Sequence, residues 1–136
     1  MRVPILRLNS RVLIVALGAD ITDESVMDFQ GDLAERTAAL QARGVVIDVS
    51  ALDLVDSFMA RVLSDSARML RLLGAEVVVC GVKPAVAMTL VEMGVTLGGV
   101  ATSFTLERGL SRLDELMARA ERAGAAGADP AAPDHA

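Results

Sequence analysis

Few side chains in this 136-residue chain are placed to do chemistry, and two of them stand together in "DLVDSF", residues 53–58. Asp56 and Ser57 lie where an apolar, strand-like run gives way to the helical pattern "SFMARVLSD". An oxygen-bearing side chain at that place has two uses. It can accept a hydrogen bond from an orphan amide of the first helical turn, which contributes roughly 1 kcal/mol. A serine hydroxyl there can also receive a phosphoryl group, adding a charge of about −1.5 to −2 where free amides and the helix dipole tolerate an anion. Phe58 and Arg61 follow Ser57 at one and four places and share part of its face. A phosphate on Ser57 would therefore rewrite a surface without dismantling the fold. Asp56, Phe58 and Arg61 are the candidate docking residues for a partner.

Other chemistry is scarce. The single histidine, His135, sits in the terminal "AGAAGADPAAPDHA", so the sequence offers no folded catalytic histidine, His-based metal site or Ser-His triad. The single cysteine, Cys80, ends "AEVVVC" and reads as a small core residue. There is no Walker-type phosphate loop and no dinucleotide-binding glycine pattern; "GVTLGG" is a glycine-rich turn. We expect no catalysis, no metal and no cofactor. A net charge of −5, with no Trp or Tyr and three Phe, opposes nucleic-acid binding. The hydrophobic fraction of 53% and mean hydropathy of +0.48 invite a membrane reading. It fails on length, because the longest apolar runs fall far short of the roughly 18 to 20 residues of a spanning helix. The start "MRVPILRL" has a proline and a second arginine where a signal peptide carries an unbroken apolar run. A cytoplasmic protein is expected.

The elements that must hold Asp56 and Ser57 follow from periodicity. Residues 4–8 alternate weakly, as an edge strand would, and 12–17 form a continuous apolar strand. Thr22 is placed to cap a helix with Asp23 and Glu24 in its first turn. Its inward stripe is Val26, Phe29, Leu33, Thr37 and Leu40, and Gly44 reads as the glycine that closes it. A strand over 45–49 precedes a helix over 57–73, ended by Gly74. In that helix Val62, Ser66, Met69 and Leu73 face inward, while Arg61, Asp65 and Arg68 form a polar stripe. Next come a strand over 75–80, a short helix with Pro84 near its start and Gly94 after its end, and a short strand around Val100. A final helix runs from about Leu106 to Arg122 and stops at Gly124, leaving 124–136 as a disordered Ala/Gly/Pro-rich tail. Alternating strands and helices imply one α/β domain over 1–123 with a mostly parallel sheet. Ser57 then falls at the carboxyl end of that sheet, where open α/β folds present functional loops.

On these residues the chain resembles a known family. "GVVIDVSALDLVDSFMARVLSD", "GAEVVVCGVKPAVAMTLVEMGV" and the helix after "SFTLERGL" are similar to the STAS domain family, the fold of bacterial anti-sigma-factor antagonists, over roughly residues 4–119. Common antagonists carry glycines and a second small residue after the phosphorylatable serine. Phe58, Met59 and Ala60 stand there instead, which favours the RsbS type of stressosome scaffold. The resemblance implies a STAS-type single domain with a mixed, mostly parallel sheet and about four helices. It also implies that Ser57 accepts phosphate from a switch kinase resembling RsbT. The unmodified chain would sequester that kinase in a self-associating assembly with STAS-containing sensor paralogues of the RsbR kind. Phosphorylation would release it into a stress or sigma-factor pathway, and a phosphoserine phosphatase would reset the serine. Thr89 matches a position phosphorylated in the sensor paralogues. In an RsbS-type chain it reads as a helical residue without a switch role, and it stands as the second candidate.

Two competing functions stay open on sequence. One is a direct anti-anti-sigma factor that binds an anti-sigma kinase and is controlled through the same serine. The other is a receiver-like or ligand-sensing domain, with Asp48 at a strand end and Lys83 in "VKP". Receiver chemistry needs a second acid beside the first strand, where "VALGAD" supplies only Asp20.

Overall fold

Successive strand residues feed two different apolar layers. Leu13, Val15, Val45, Ile47, Val77 and Val79 enter one buried cluster, whereas Val12, Val46, Val78 and Cys80 enter another. That is the period of two expected of strands covered on both faces. The computed structural model describes residues 3–94 and 100–127. Its elements are β1 (Ile5–Arg7), β2 (Val12–Ala16), α1 (Asp23–Leu40), β3 (Gly44–Asp48), α2 (Ser57–Leu72), β4 (Glu76–Cys80), α3 (Pro84–Glu92), β5 (Ala101–Ser103) and α4 (Leu106–Gly127). The sheet runs β1-β2-β3-β4-β5, antiparallel at β1–β2 and parallel across the other pairs. Four helices on a mixed, mostly parallel sheet agree with the expected α/β architecture.

Helices α1, α2 and α3 pack on one face. They supply Val26, Phe29 and Leu33, then Ala60, Leu63 and Leu70, then Val86 and Leu90 to the larger cluster. Three parallel crossovers with their helices on one side, stepping in one direction across the sheet, are what a constant crossover hand requires. Helix α4 returns over the opposite face and fills the smaller cluster with Leu113 and Met117. Between α1 and α2, the Gln30 amide donates to the buried Ser66 hydroxyl at 3.2 Å, so the polar atom inside that contact is satisfied. Cys80 is fully buried, and its thiol is pushed up to about 11, first by burial and then by the Asp48 carboxylate. It stays a protonated core residue at neutral pH.

Three expectations change. Gly44 does not close α1: Gln41 takes the left-handed turn at φ 51°, and Gly44 opens β3. A Cβ on Gly44 would stand 2.7 Å from the Met117 sulfur and 2.8 Å from a Leu113 methyl, so this glycine lets α4 lie against the sheet. Leu73 is exposed at 44%, because α2 ends at Leu72 and the chain turns away through Gly74. The final helix passes Gly124 and continues to Gly127, since alanines on both sides sustain a helix through one glycine. Most of the tail, and "GVTLGG" beyond Gly94, lie outside the described residues. Among the described residues, no helix is long and apolar enough to cross a membrane.

Candidate functional site

Two loops leave the carboxyl ends of neighbouring parallel strands and meet. The loop after β3, residues 49–56, leads into α2; the loop after β4, residues 81–83, leads into α3. Gly81 makes their approach feasible. It sits at φ 79°, and a Cβ there would meet the Ser50 Cβ at 2.7 Å and the Asp48 carboxylate at 3.0 Å. An ion pair between Lys83 and Asp53 then ties one loop to the other. Asp48 is held locally, accepting from the Ser50 amide at 2.9 Å.

Within this frame the cap of α2 is Asp56. Its backbone is extended and its carboxylate accepts from the Met59 amide at 2.8 Å. Ser57 is therefore the first helical residue and not the cap. Its side chain is exposed, and its hydroxyl makes no hydrogen bond among the described residues. The question left open by "DS" thus has a structural answer: the carboxylate does the capping and the hydroxyl stays uncommitted.

Ser57 opens onto a shallow groove of about 570 Å³ lined on α2 by Phe58, Arg61, Ser64, Asp65 and Arg68, and across from it by Met93 and Gly94. Phe58 is half-buried: it packs against the main core and also lines the groove. Arg61 is exposed, and Asp65 pairs with Arg68 along the expected polar stripe. Apolar side chains are also exposed in the loop after β3 and on α3: Leu54 at 89%, and Met88 and Val91 at 64% and 78%. Sequence reasoning missed the Asp53–Lys83 tie and the Met93–Gly94 wall, because both depend on how two distant loops come together.

Thr89 lies elsewhere on α3, its hydroxyl donating to the Ala85 carbonyl at 2.9 Å. Of the receiver-like candidates, Lys83 pairs with Asp53 and Asp48 accepts from the Ser50 amide.

Comparison with known proteins gives the family. A STAS domain profile matches residues 4–106. Among solved structures, a serine-to-glutamate variant of RsbS from Moorella thermoacetica superposes with a TM-score of 0.77 at 44% identity, covering 88% of this chain and 99% of that one. A chain from a structure of the stressosome, described there as a signal integration and transduction hub, gives 0.74 at 43% identity, covering 83% and 97%. The RsbT co-antagonist protein RsbRA of Bacillus subtilis is 25% identical over 85% of this chain, which spans only 42% of that relative's length. The chain belongs to the STAS domain family, with stressosome proteins of the RsbS and RsbR kinds among its relatives.

Proposed function

We propose that this protein is a non-catalytic, cytoplasmic stressosome scaffold that holds a serine kinase while Ser57 is free and releases it when Ser57 is phosphorylated. The observation that carries this reading is the division of labour at the start of α2: Asp56 caps the helix and leaves the Ser57 hydroxyl exposed and unspent. Transfer would form an Oγ–P bond as the γ-phosphoryl group leaves ADP, with the hydroxyl proton lost to the kinase's base. The phosphate then stands at a helix start, so the fold persists while the groove beside Phe58 and Arg61 gains an anion. Docking of the kinase relies on Asp56, Phe58 and Arg61.

The relatives support a choice of partners. The RsbRA relative is by name a co-antagonist of RsbT, which supports an RsbT-like switch kinase and RsbR-like sensor paralogues as companions here. Likeness to a stressosome chain supports self-association into a large assembly, and a reversible switch requires a phosphoserine phosphatase. Thr89 is read as a helical residue outside the switch, its hydroxyl donating to the Ala85 carbonyl.

The runner-up is a direct anti-anti-sigma factor bound to an anti-sigma kinase. Size-exclusion chromatography with light scattering, on the protein mixed with kinase and sensor paralogues, separates the two. The scaffold predicts a very large assembly that retains the kinase until ATP is added. A small heteromer that forms without any sensor would favour the antagonist.

A further inference from the structure

Along its outer face α2 presents a hydroxyl and three charges at the spacing of helical neighbours: Ser57, Arg61, Asp65 and Arg68, all lining the same groove. Asp65 and Arg68 are already paired. Arg61 forms no ion pair among the described residues. The opposite wall, Met93 and Gly94, brings no charge. Arg61 is thus the unspent cation of the groove, and Ser57 lies one helical turn before it, with Cβ atoms of such a pair about 5–6 Å apart. The stripe alternates in charge except at its first position, where a neutral hydroxyl stands.

We propose that phosphorylation of Ser57 captures Arg61 within the molecule, so that the arginine leaves the partner's acidic contact for the phosphate one turn away. The inference rests on Ser57 being the modified residue. A phosphoserine offers three acceptor oxygens, and the planar guanidinium fork matches them in a bidentate pair. Asp56 sharpens the need for that cation: its carboxylate is fixed as the cap on the Met59 amide and repels the new anion beside it. A partner carboxylate holding Arg61 would then compete with an anion tethered on the same helix, present at high effective concentration. Release needs neither unfolding nor a steric clash; it follows from the loss of one charged contact. The switch therefore has two parts, an anion gained at Ser57 and a cation withdrawn at Arg61.

The test uses the full chain with phosphoserine installed at position 57 by genetic encoding, so no kinase is involved. The second ionisation of the phosphate is followed by ³¹P NMR against pH in the parent, Arg61→Gln and Arg61→Lys proteins. Capture predicts a midpoint about half a pH unit or more higher in Arg61→Gln than in the parent, with the lysine variant between them and the gap narrowing in high salt. Equal midpoints in parent and Arg61→Gln would overturn the proposal, leaving the phosphate held by the helix start alone. Arg61 is exposed, so the variants keep the fold, which circular dichroism checks. Failure of a kinase to modify Ser57 would remove the underlying reading without moving these titrations, so the two failures are told apart.

Discussion

At the start of α1, Thr22 and Ser25 spend both hydroxyls on each other and on the backbone. The Ser25 amide donates to the Thr22 hydroxyl at 3.1 Å, and the Thr22 amide donates to the Ser25 hydroxyl at 2.9 Å. Ser25 is 8% exposed. At the start of α2, a carboxylate from Asp56 does the capping, and the Ser57 hydroxyl faces solvent beside a groove. Both helices begin with short polar residues and acids in reach, so local composition does not separate them. What separates them is which oxygen accepts from the third-position amide. At α1 the hydroxyls of Thr22 and Ser25 are spent on the helix start; at α2 an acid caps, and the neighbouring Ser57 hydroxyl is left over.

The comparison is broken most directly by exchanging hydroxyls for methyl groups. Ser57→Ala should abolish ATP-dependent kinase release while thermal unfolding stays within a degree or so of the parent. Ser25→Ala should do the reverse, keeping release and losing about 1–2 kcal/mol in denaturant titrations. A Ser57→Ala protein that still releases its kinase would return both serines to the structural class. Phe58→Ala comes next. Truncating a half-buried aromatic should cost about 2 kcal/mol of stability and also weaken kinase binding in calorimetry. A loss of stability alone would make Phe58 purely a core residue.

Removing the caps themselves sharpens the contrast. Thr22→Ala and Asp56→Ala should each cost about 1 kcal/mol, read from denaturant midpoints. The smallest effect belongs to Lys83→Ala. Its pair with Asp53 is largely solvent-exposed, so unfolding should shift by no more than a few tenths of a kcal/mol. A larger effect on kinase binding than on stability would assign the tie to loop placement.

Local signals in the sequence carried much of this fold. The Thr22 cap, the inward Val26, Phe29 and Leu33, and the polar Arg61, Asp65 and Arg68 stripe each depend on residues within a turn or two, and each reads correctly from spacing. Gly44 did not, because a glycine that ends a helix and a glycine that admits a distant helix look the same in one dimension. Its packing partners, Leu113 and Met117, lie far along the chain. The tie between Asp53 and Lys83 spans 30 residues and depends on Gly81 letting two loops touch. The candidate site was legible as "DSF"; which residue of that pair capped the helix was not, since aspartate and serine are equally good caps by type.

The central claim is that Ser57 is the hydroxyl a kinase modifies, and peptide-level mass spectrometry tests it most directly. The full chain would be incubated with the switch kinase and ATP, beside the Ser57→Ala variant, and then digested and mapped. The account predicts a single phosphate on Ser57, none on Ser25 or Thr89, and none anywhere in the variant. A phosphate on another residue with Ser57 unmodified, or no phosphate under conditions where the kinase is released, would contradict it.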